Sequence, residues 1–547
     1  MERQLAPEVW ALVMQHLPPS DRRTCLSISS THHTVAKRLV FSDITITLGL
    51  WKDVDIEGDT YPLNKTIQDE VGRDARRSLN LLRHILATPE FADVVRKVTV
   101  RAQGLGTNVE IAFDIGILAR ALNKMRNLRA FTWYGTNPAP SRGIFDALIE
   151  ASGKTLVHLS LPMDFPKGLR LTSHTQLTSF AVLQRNSSNS GAEPPIETAK
   201  SIIMATAVTL RRLCVSSSSQ NVAVLYGCDP QAFVHLQELS LIFPRTISGL
   251  DALFLHLTRL QSLTFCVDAD LGIDEAVTEA LRTHPDAFPA LHSFKLLHNS
   301  GFPRGTNPAQ DVADFISGRG ATLRRLDVVL GASALAFYGG CPLMWSLPKL
   351  PALEVLGFDF YPAYLVRGLV EFLDINLPRG LTALHVYARV GQADMAMEDW
   401  MDFFGTRGAL RFVNVVCELG VEIGLWDVLS QHPPRLLELL GFNFSVHTVE
   451  RDVDTGDPVF SERWSWPKAF YAAVEHEEEE DWEWLLRHHG HNDKIDIAEW
   501  MLKASDEGLD PHGAGGGGPE GASSNVVDDG EDDYEGGSYE DSMEVEG

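Results

Sequence analysis

Few stretches of the 547-residue chain combine residue types and spacing that could do chemistry. Asp53-x-Asp55-x-Glu57-Gly58 alternates carboxylates before a glycine, as a calcium-binding loop begins. Its twelfth position is Asn64, where such a loop needs a bidentate carboxylate, so the stretch reads as a polar turn. His32-His33 have no cysteine or carboxylate at ligand spacing, and His488, His489 and His491 have no cysteine nearby. Cys25, Cys214, Cys228, Cys266, Cys341 and Cys417 lie far apart with no C-x-x-C pair. That pattern argues against a zinc finger or a disulfide framework and for buried thiols in a reducing compartment. Gly104-x-Gly106 lacks the third glycine of a dinucleotide loop, and Gly515 to Gly518 are not followed by Gly-Lys-Ser/Thr. No G-x-S-x-G or H-E-x-x-H occurs. The expectation is a protein that binds rather than catalyses, with no catalytic residue, no metal site and no cofactor.

What the chain does carry is a recurring phrase, apolar-x-x-apolar-x-apolar. Clear copies are Leu156-x-x-Leu159-x-Leu161, Leu210-x-x-Leu213-x-Val215 and Leu236-x-x-Leu239-x-Leu241. Others begin at Leu260, Leu291, Leu323, Leu353, Leu381 and Leu410, with weaker ones at Val95, Leu128, Leu177 and Leu436. Thirteen starts give a mean spacing of about 28 residues, the range of leucine-rich repeats. The end of each phrase alternates as a strand with one buried face should. Most phrases follow a helical pattern, such as Leu369, Val370, Phe372 and Leu373 before Leu381. One strand and one helix cannot bury both faces alone, but stacked units can. The phrase resembles the leucine-rich repeat with one departure. The Asn or Cys expected three residues past the last strand position is matched only by Asn299, which implies an irregular solenoid with parallel strands inside and helices outside.

In each phrase the residue between the last two apolar positions points away from the core. These residues, expected to line a concave face, include Thr132, Ser160, Cys214, Ser240, Thr264, Lys295, Asp327, His385 and Asn414. Tyr134, Arg212, Glu238, Arg325, Asp359 and Tyr387 lie just outside the apolar pair and join them. The candidate substrate-binding set is Tyr134, Arg212, Glu238, Lys295, Arg325, Asp327, Asp359, His385 and Tyr387. Its mixed charge suits a protein partner better than a polyanion, with Arg325 and Tyr387 as anchors.

Residues 5–41 read as three short helices. Pro7 suits a first turn, and Val9, Leu12, Val13 and Leu17 form an apolar face ended by Pro18-Pro19. Ser20 is a candidate cap for the second helix, which carries Cys25 and Leu26 inward. Ser30 or Thr31 is a candidate cap for the third, with Val35, Ala36, Leu39 and Val40 inward. Forty residues need a further surface to cover their apolar side. Through Leu5, Pro7-Glu8-Val9, Leu12, Leu17-Pro18, Asp21, Cys25-Leu26 and Phe41 the stretch resembles an F-box, as found before leucine-rich repeats in fungal proteins. It departs from that pattern at Ala6, where Pro is common, and in lacking a third-helix Trp. The resemblance implies the substrate receptor of an SCF-type ubiquitin ligase. Leu5, Pro7, Val9, Leu12, Leu17, Pro18 and Leu26 would bind a SKP-type adaptor and, through it, a cullin, while the repeats hold an unknown protein substrate. Alternatives are a repeat scaffold whose first helices only cap the array, and a GTPase-activating protein of the type that joins leucine-rich repeats to an acidic tail.

The expected organisation is α/β: an F-box at 1–41, a helical linker at 42–94, the repeat solenoid at 95–457, a cap at 458–503 and a disordered acidic tail at 504–547. Trp464, Trp466, Trp482, Trp484 and Trp500 suggest that 458–503 folds over the last repeat. Residues 184–198 read as an insertion loop. Of the net charge of −26, residues 475–547 supply −21, from 24 acids and 3 bases, so the body is nearly balanced. Binding to nucleic acid is disfavoured. No signal peptide or run of 18 apolar residues is present, so the expectation is a cytoplasmic or nuclear protein without a membrane partner. Because residues 504–547 hold few apolar groups, deleting them should leave the thermal midpoint unchanged in calorimetry; a large fall would mean that they pack on the body.

Overall fold

Sixteen strands, counted among the described residues, hydrogen-bond in chain order. They are β1 (Asp43–Leu48), β2 (Lys97–Gln103), β3 (Ala130–Asn137), β4 (His158–Pro162), β5 (Ser179–Leu183), β6 (Arg212–Ser216), β7 (Glu238–Ile242) and β8 (Ser262–Val267), then β9 (Ser293–His298), β10 (Arg325–Val329), β11 (Val355–Phe360), β12 (Ala383–Ala388), β13 (Phe412–Cys417), β14 (Leu439–Phe442), β15 (Ser445–Arg451) and β16 (Pro458–Phe460). The computed structural model describes residues 6–17, 19–48, 65–103, 108–162, 165–169, 176–183, 196–216, 225, 227–242, 249–267, 273–298, 308–330, 342–360, 369–388, 397–417, 428–442, 445–462, 464 and 480–487. All of them fall in the unit Met1–Glu499; the unit Trp500–Gly547, and with it all of the acidic tail at 504–547, lies outside the described residues. The calcium-like stretch 53–64 and the histidines at 488–491 also lie outside them.

Strands β1 to β14 run parallel, and helices supply the crossovers that parallel pairing requires. The helices Lys65–Ala87, Asn108–Leu122, Arg142–Ser152, Ile196–Thr206, Ile273–Thr283 and Pro308–Ser317 turn apolar residues such as Leu82, Leu118, Leu148, Ile203, Val277 and Ile316 into the core on one face of the sheet. That core takes alternate strand residues, such as Leu159 and Leu161, Leu326 and Val328, and Leu384 and Val386. This arrangement is compatible with a solenoid of strand–helix repeats. No helix among the described residues is long and apolar enough to cross a membrane.

The array is tied together at the base of each strand. The Ser42 carbonyl accepts from the N–H groups of Arg96 (2.7 Å) and Lys97 (2.8 Å) of the next unit. The same two-to-one bond recurs at Arg96, Arg129, Val157, Thr178, Arg211, Gln237, Gln261, His292, Arg324, Glu354, Thr382 and Arg411. It uses only backbone, so it needs no particular side chain. Two buried arginines add a second tie. Arg407, with no exposed side-chain surface, donates to the carbonyls of Phe403 (3.1 Å), Leu373 and Leu377 (both 3.4 Å) and to Asp374 Oδ1 (2.5 Å). Arg319 donates to the carbonyls of Phe315, Pro285 (2.8 Å) and Ala287. Each guanidinium also stacks on the phenylalanine four residues earlier, at 3.9 Å and 3.6 Å. Phe315-x-x-x-Arg319-Gly320-Ala321 and Phe403-x-x-x-Arg407-Gly408-Ala409 are thus one device used twice, answering the helix-end carbonyls of the preceding unit.

Several expectations need correction. The sheet starts one unit earlier than residue 95. Ile44, Ile46 and Leu48 alternate into the core as β1, inside the stretch read as a helical linker, and the Ser78 hydroxyl accepts from Thr47 N–H at 2.9 Å. The last phrase begins at Leu437, 2% exposed, and not at Leu436, 53% exposed. Antiparallel β15 and β16 close the array across the boundary drawn at 457/458. The insertion read at 184–198 ends where the helix Ile196–Thr206 begins, and 184–195 lie outside the described residues.

Replacing Arg407 by Met should destabilise the chain by on the order of 3 kcal/mol, because the carbonyls of Phe403, Leu373, Asp374 and Leu377 lose a charged donor and Asp374 loses its nearest cation. Arg407 holds the Asp374 carboxyl below its usual range. A depressed folded pKa gives stability that is present near neutral pH and fades as pH falls through the acid range. Urea titrations should therefore show the gap between wild type and variant narrowing in acid; a gap that widens there would contradict this.

Candidate protein-binding face

The residue between the two core-facing positions of each strand falls on the face opposite the crossover helices. Register makes these residues one ladder: Thr45, Thr99, Thr132, Ser160, Ala181, Cys214, Ser240, Thr264, Lys295, Asp327, Gly357, His385, Asn414 and Gly441. Small residues fill it as far as β8, and larger polar and charged ones enter at β9. The row at the strand starts changes in the opposite sense. It runs Arg212, Glu238, Ser262, Ser293 and Arg325, then turns apolar at Val355, Ala383, Phe412 and Leu439.

Over this second half lies the segment Glu480–Arg487. Its helix, Asp481–Leu486, carries a reciprocal cap between Glu480 and Glu483. Trp484, Leu485 and Leu486 pack on Val355, Ala383, Phe412, Leu439 and Val446, and Trp482 meets Trp464 edge-on at 5.6 Å. Trp484 is 2% exposed and Leu485 fully buried. The segment reaches the last repeat at Leu439, as the tryptophan density suggested, but extends further, across β11 and β12 and as far back as Lys295 on β9. Trp466 and Trp500 lie outside the described residues.

The contact centres on the Lys295 ammonium. Its side chain is 1% exposed and 2.8 Å from the Asp327 carboxylate, itself 0% exposed. It also donates to the carbonyls of Trp484 (2.5 Å), Arg487 (2.9 Å) and Leu485 (3.2 Å), and lies 4.6 Å from the indole centroid. A cation thus meets the unsatisfied carbonyl end of a helix, where it is most favoured. At the other end of the helix Asp481 pairs with Arg325 at 2.7 Å and accepts from the Thr382 hydroxyl at 3.3 Å. Gly357 makes room between them. A Cβ there would lie 2.7 Å from the Asp327 carboxyl carbon and 3.1 Å from Leu485 Cδ2. His385 and Asn414, both buried, share a 2.8 Å hydrogen bond beside this group.

Of the nine residues singled out for substrate, Lys295, Asp327 and His385 are therefore buried, and Arg325 is paired with the chain's own Asp481. Arg212 and Glu238 stand opposite each other, half-buried, on β6 and β7, and Tyr134 is half-buried on β3. Asp359 and Tyr387 are register partners, but their side chains lie outside the described residues.

The amino-terminal helices are α1 (Pro7–Gln15), α2 (Pro19–Cys25) and α3 (Ser30–Val40). Met14, Cys25, Val35 and Ala36 form a small core, with Leu17 and Leu26 packed against it. The side chain of Ser29, not of Ser30 or Thr31, caps α3, accepting from His32 N–H at 3.2 Å; α2 begins at Pro19, ahead of Ser20. Val9, Leu12, Val13 and Leu17 do not share a face. Leu17 turns inward, while Val9, Leu12 and Val13 are exposed, as is Pro7. Leu5 and Pro18 lie outside the described residues. No group of three His, Cys, Asp or Glu residues placed to hold a metal ion occurs among the described residues.

No family model and no curated protein matches this chain. What the two surfaces can do follows from their geometry: one is apolar and open, the other charged, apolar and covered from within the chain. The covering helix escaped the sequence reading because nothing local in Asp481-Trp482-Glu483-Trp484-Leu485-Leu486 names its contact. The signal that could have found it was complementary charge: Lys295 and Asp327 occupy the same phrase position in successive units, and Arg325 stands beside them.

Lys295→Met leaves the Asp327 carboxylate buried without its cation and should cost about 3–5 kcal/mol in chemical denaturation. Adding Asp327→Asn should restore part of that loss, since both charges are then gone. A single variant as stable as wild type would contradict the buried pair.

Proposed function

We propose that the chain is the substrate-recognition subunit of an SCF-type ubiquitin ligase. Helices α1–α3 dock on a SKP-type adaptor and, through it, on a cullin, and the face of the repeats opposite the crossover helices engages a protein substrate. The chain does no chemistry itself; it raises the local concentration of substrate lysines near the charged conjugating enzyme.

The observation that carries this reading is the exposed side of α1. Val9, Leu12 and Val13 are 40%, 61% and 42% exposed, at the i, i+3, i+4 spacing of one helix face. The three-helix unit already has its own core in Met14, Cys25, Val35 and Ala36. Helices that only sealed the end of the array would turn their apolar residues onto it. An apolar stripe left outward is suited to a groove on another protein.

Leu12→Asp tests the reading. So exposed a side chain contributes little to folding, so the melting curve should be unchanged. At a docked surface the new carboxylate would be buried unpaired, and several kcal/mol corresponds to roughly a 100-fold or greater loss of adaptor affinity. Calorimetric titration with purified adaptor reads this directly. Capture at wild-type strength would contradict adaptor docking through α1.

A further inference from the structure

We propose that the face opposite the crossover helices, over β9–β13, is a binding site for a short acidic, tryptophan-anchored protein segment, that residues 480–487 occupy it in cis, and that a partner carrying a segment of the same chemistry displaces them. This names the substrate's docking element under the receptor reading above, but it does not depend on the adaptor.

The face has the parts of a peptide site. At one end Arg325 takes a carboxylate, Asp481, at 2.7 Å. Three residues later Trp484 lies over the Lys295 ammonium, its centroid 4.6 Å from Nζ and 5.9 Å from the Arg325 guanidinium carbon. Leu485 settles above Gly357, where any side chain would collide with it and with Asp327. The site ends on backbone: the carbonyls of Trp484, Leu485 and Arg487 all accept from Lys295. Every part recognises a feature that another chain can supply, namely an acid, an aromatic ring three residues on, an aliphatic residue after it, and the open carbonyl end of one helical turn.

The occupant has the character of a ligand. Six residues are too few to form a stable helix alone, so the face orders the segment. By sequence it is joined to Trp464 through residues 465–479, outside the strand–helix pattern of the array. It follows the acidic run Glu477 to Glu480, which suits the side of the face where Arg325 stands. A short covalent connection gives an effective concentration on the order of mM, so a partner segment competes poorly until the cis contact is weakened.

The test uses the full chain and a fluorescein-labelled peptide with the sequence of residues 477–490, read by fluorescence polarisation without adaptor. Wild-type chain should bind the peptide weakly. Chain carrying Trp484→Ala with Leu485→Ala, its own segment released, should bind at least tenfold tighter, and a peptide carrying Trp484→Ala should not bind it. A second variant, Asp481→Arg, removes the partly exposed ion pair with Arg325 and the Thr382 contact, sets two cations together, and should also open the site. A peptide carrying Asp481→Arg should then prefer released chain with Arg325→Asp over released chain with Arg325. Failure of both opened chains to bind the peptide while they melt cooperatively would overturn the proposal. So would unfolding of both variants, which would make the segment part of the fold. Neither result bears on adaptor capture by α1, and loss of adaptor capture leaves peptide binding untouched.

Discussion

One register governs this molecule. In a parallel sheet successive side chains alternate faces, so a slip of one residue would drive Lys295 and Asp327 into the hydrocarbon core and Phe294 and Leu326 out of it. The carbonyl before each strand, bonded to two N–H groups of the next unit, pins the first residue of every strand from β2 to β14. That tie is made of backbone alone. It needs no side-chain ladder and tolerates units of unequal length.

Given that register, the two faces divide the work. The core face is uniformly apolar and carries the helices. The opposite face changes character along its length, from small hydroxyl residues to a buried ion pair flanked by an apolar row. Such a surface is costly to leave open, since Trp484, Leu485 and Leu486 bury Val355, Ala383 and Phe412 as well as two charges. Removing two ions from water is compensated only when their remaining hydrogen-bonding groups are met. Here the helix end meets those of the ammonium, with three carbonyls on Lys295. The same contact that stabilises the segment therefore specifies which segment fits.

Much of this was legible in the sequence. The starts read from residue 95 to residue 410 fall two residues before their strands, because a leucine phrase of fixed spacing has only one way to alternate into a shared core. The ladder on the face opposite the crossover helices follows from the same alternation. β1 was missed although Phe41-x-x-Ile44-x-Ile46 completes the phrase, because Phe41 was assigned to the preceding three-helix stretch. The split of α1, with Leu12 outward and Leu17 inward, depends on how Leu17 leaves the helix before Pro18-Pro19, which helical periodicity does not describe. The seating of Trp484 was illegible for a different reason: a contact between residues 295 and 484 leaves no local pattern, and only complementary charges hint at it.

Amide hydrogen exchange of the segment tests the central claim, an occupied face, most directly. The Trp484 and Arg487 amides bond to the carbonyls of Glu480 and Glu483, in a helix too short to persist by itself. If the face holds the segment, these amides exchange slowly in the full chain and speed up when Lys295 is replaced by Met. Exchange at the rate of unstructured chain in the wild-type protein would contradict the account.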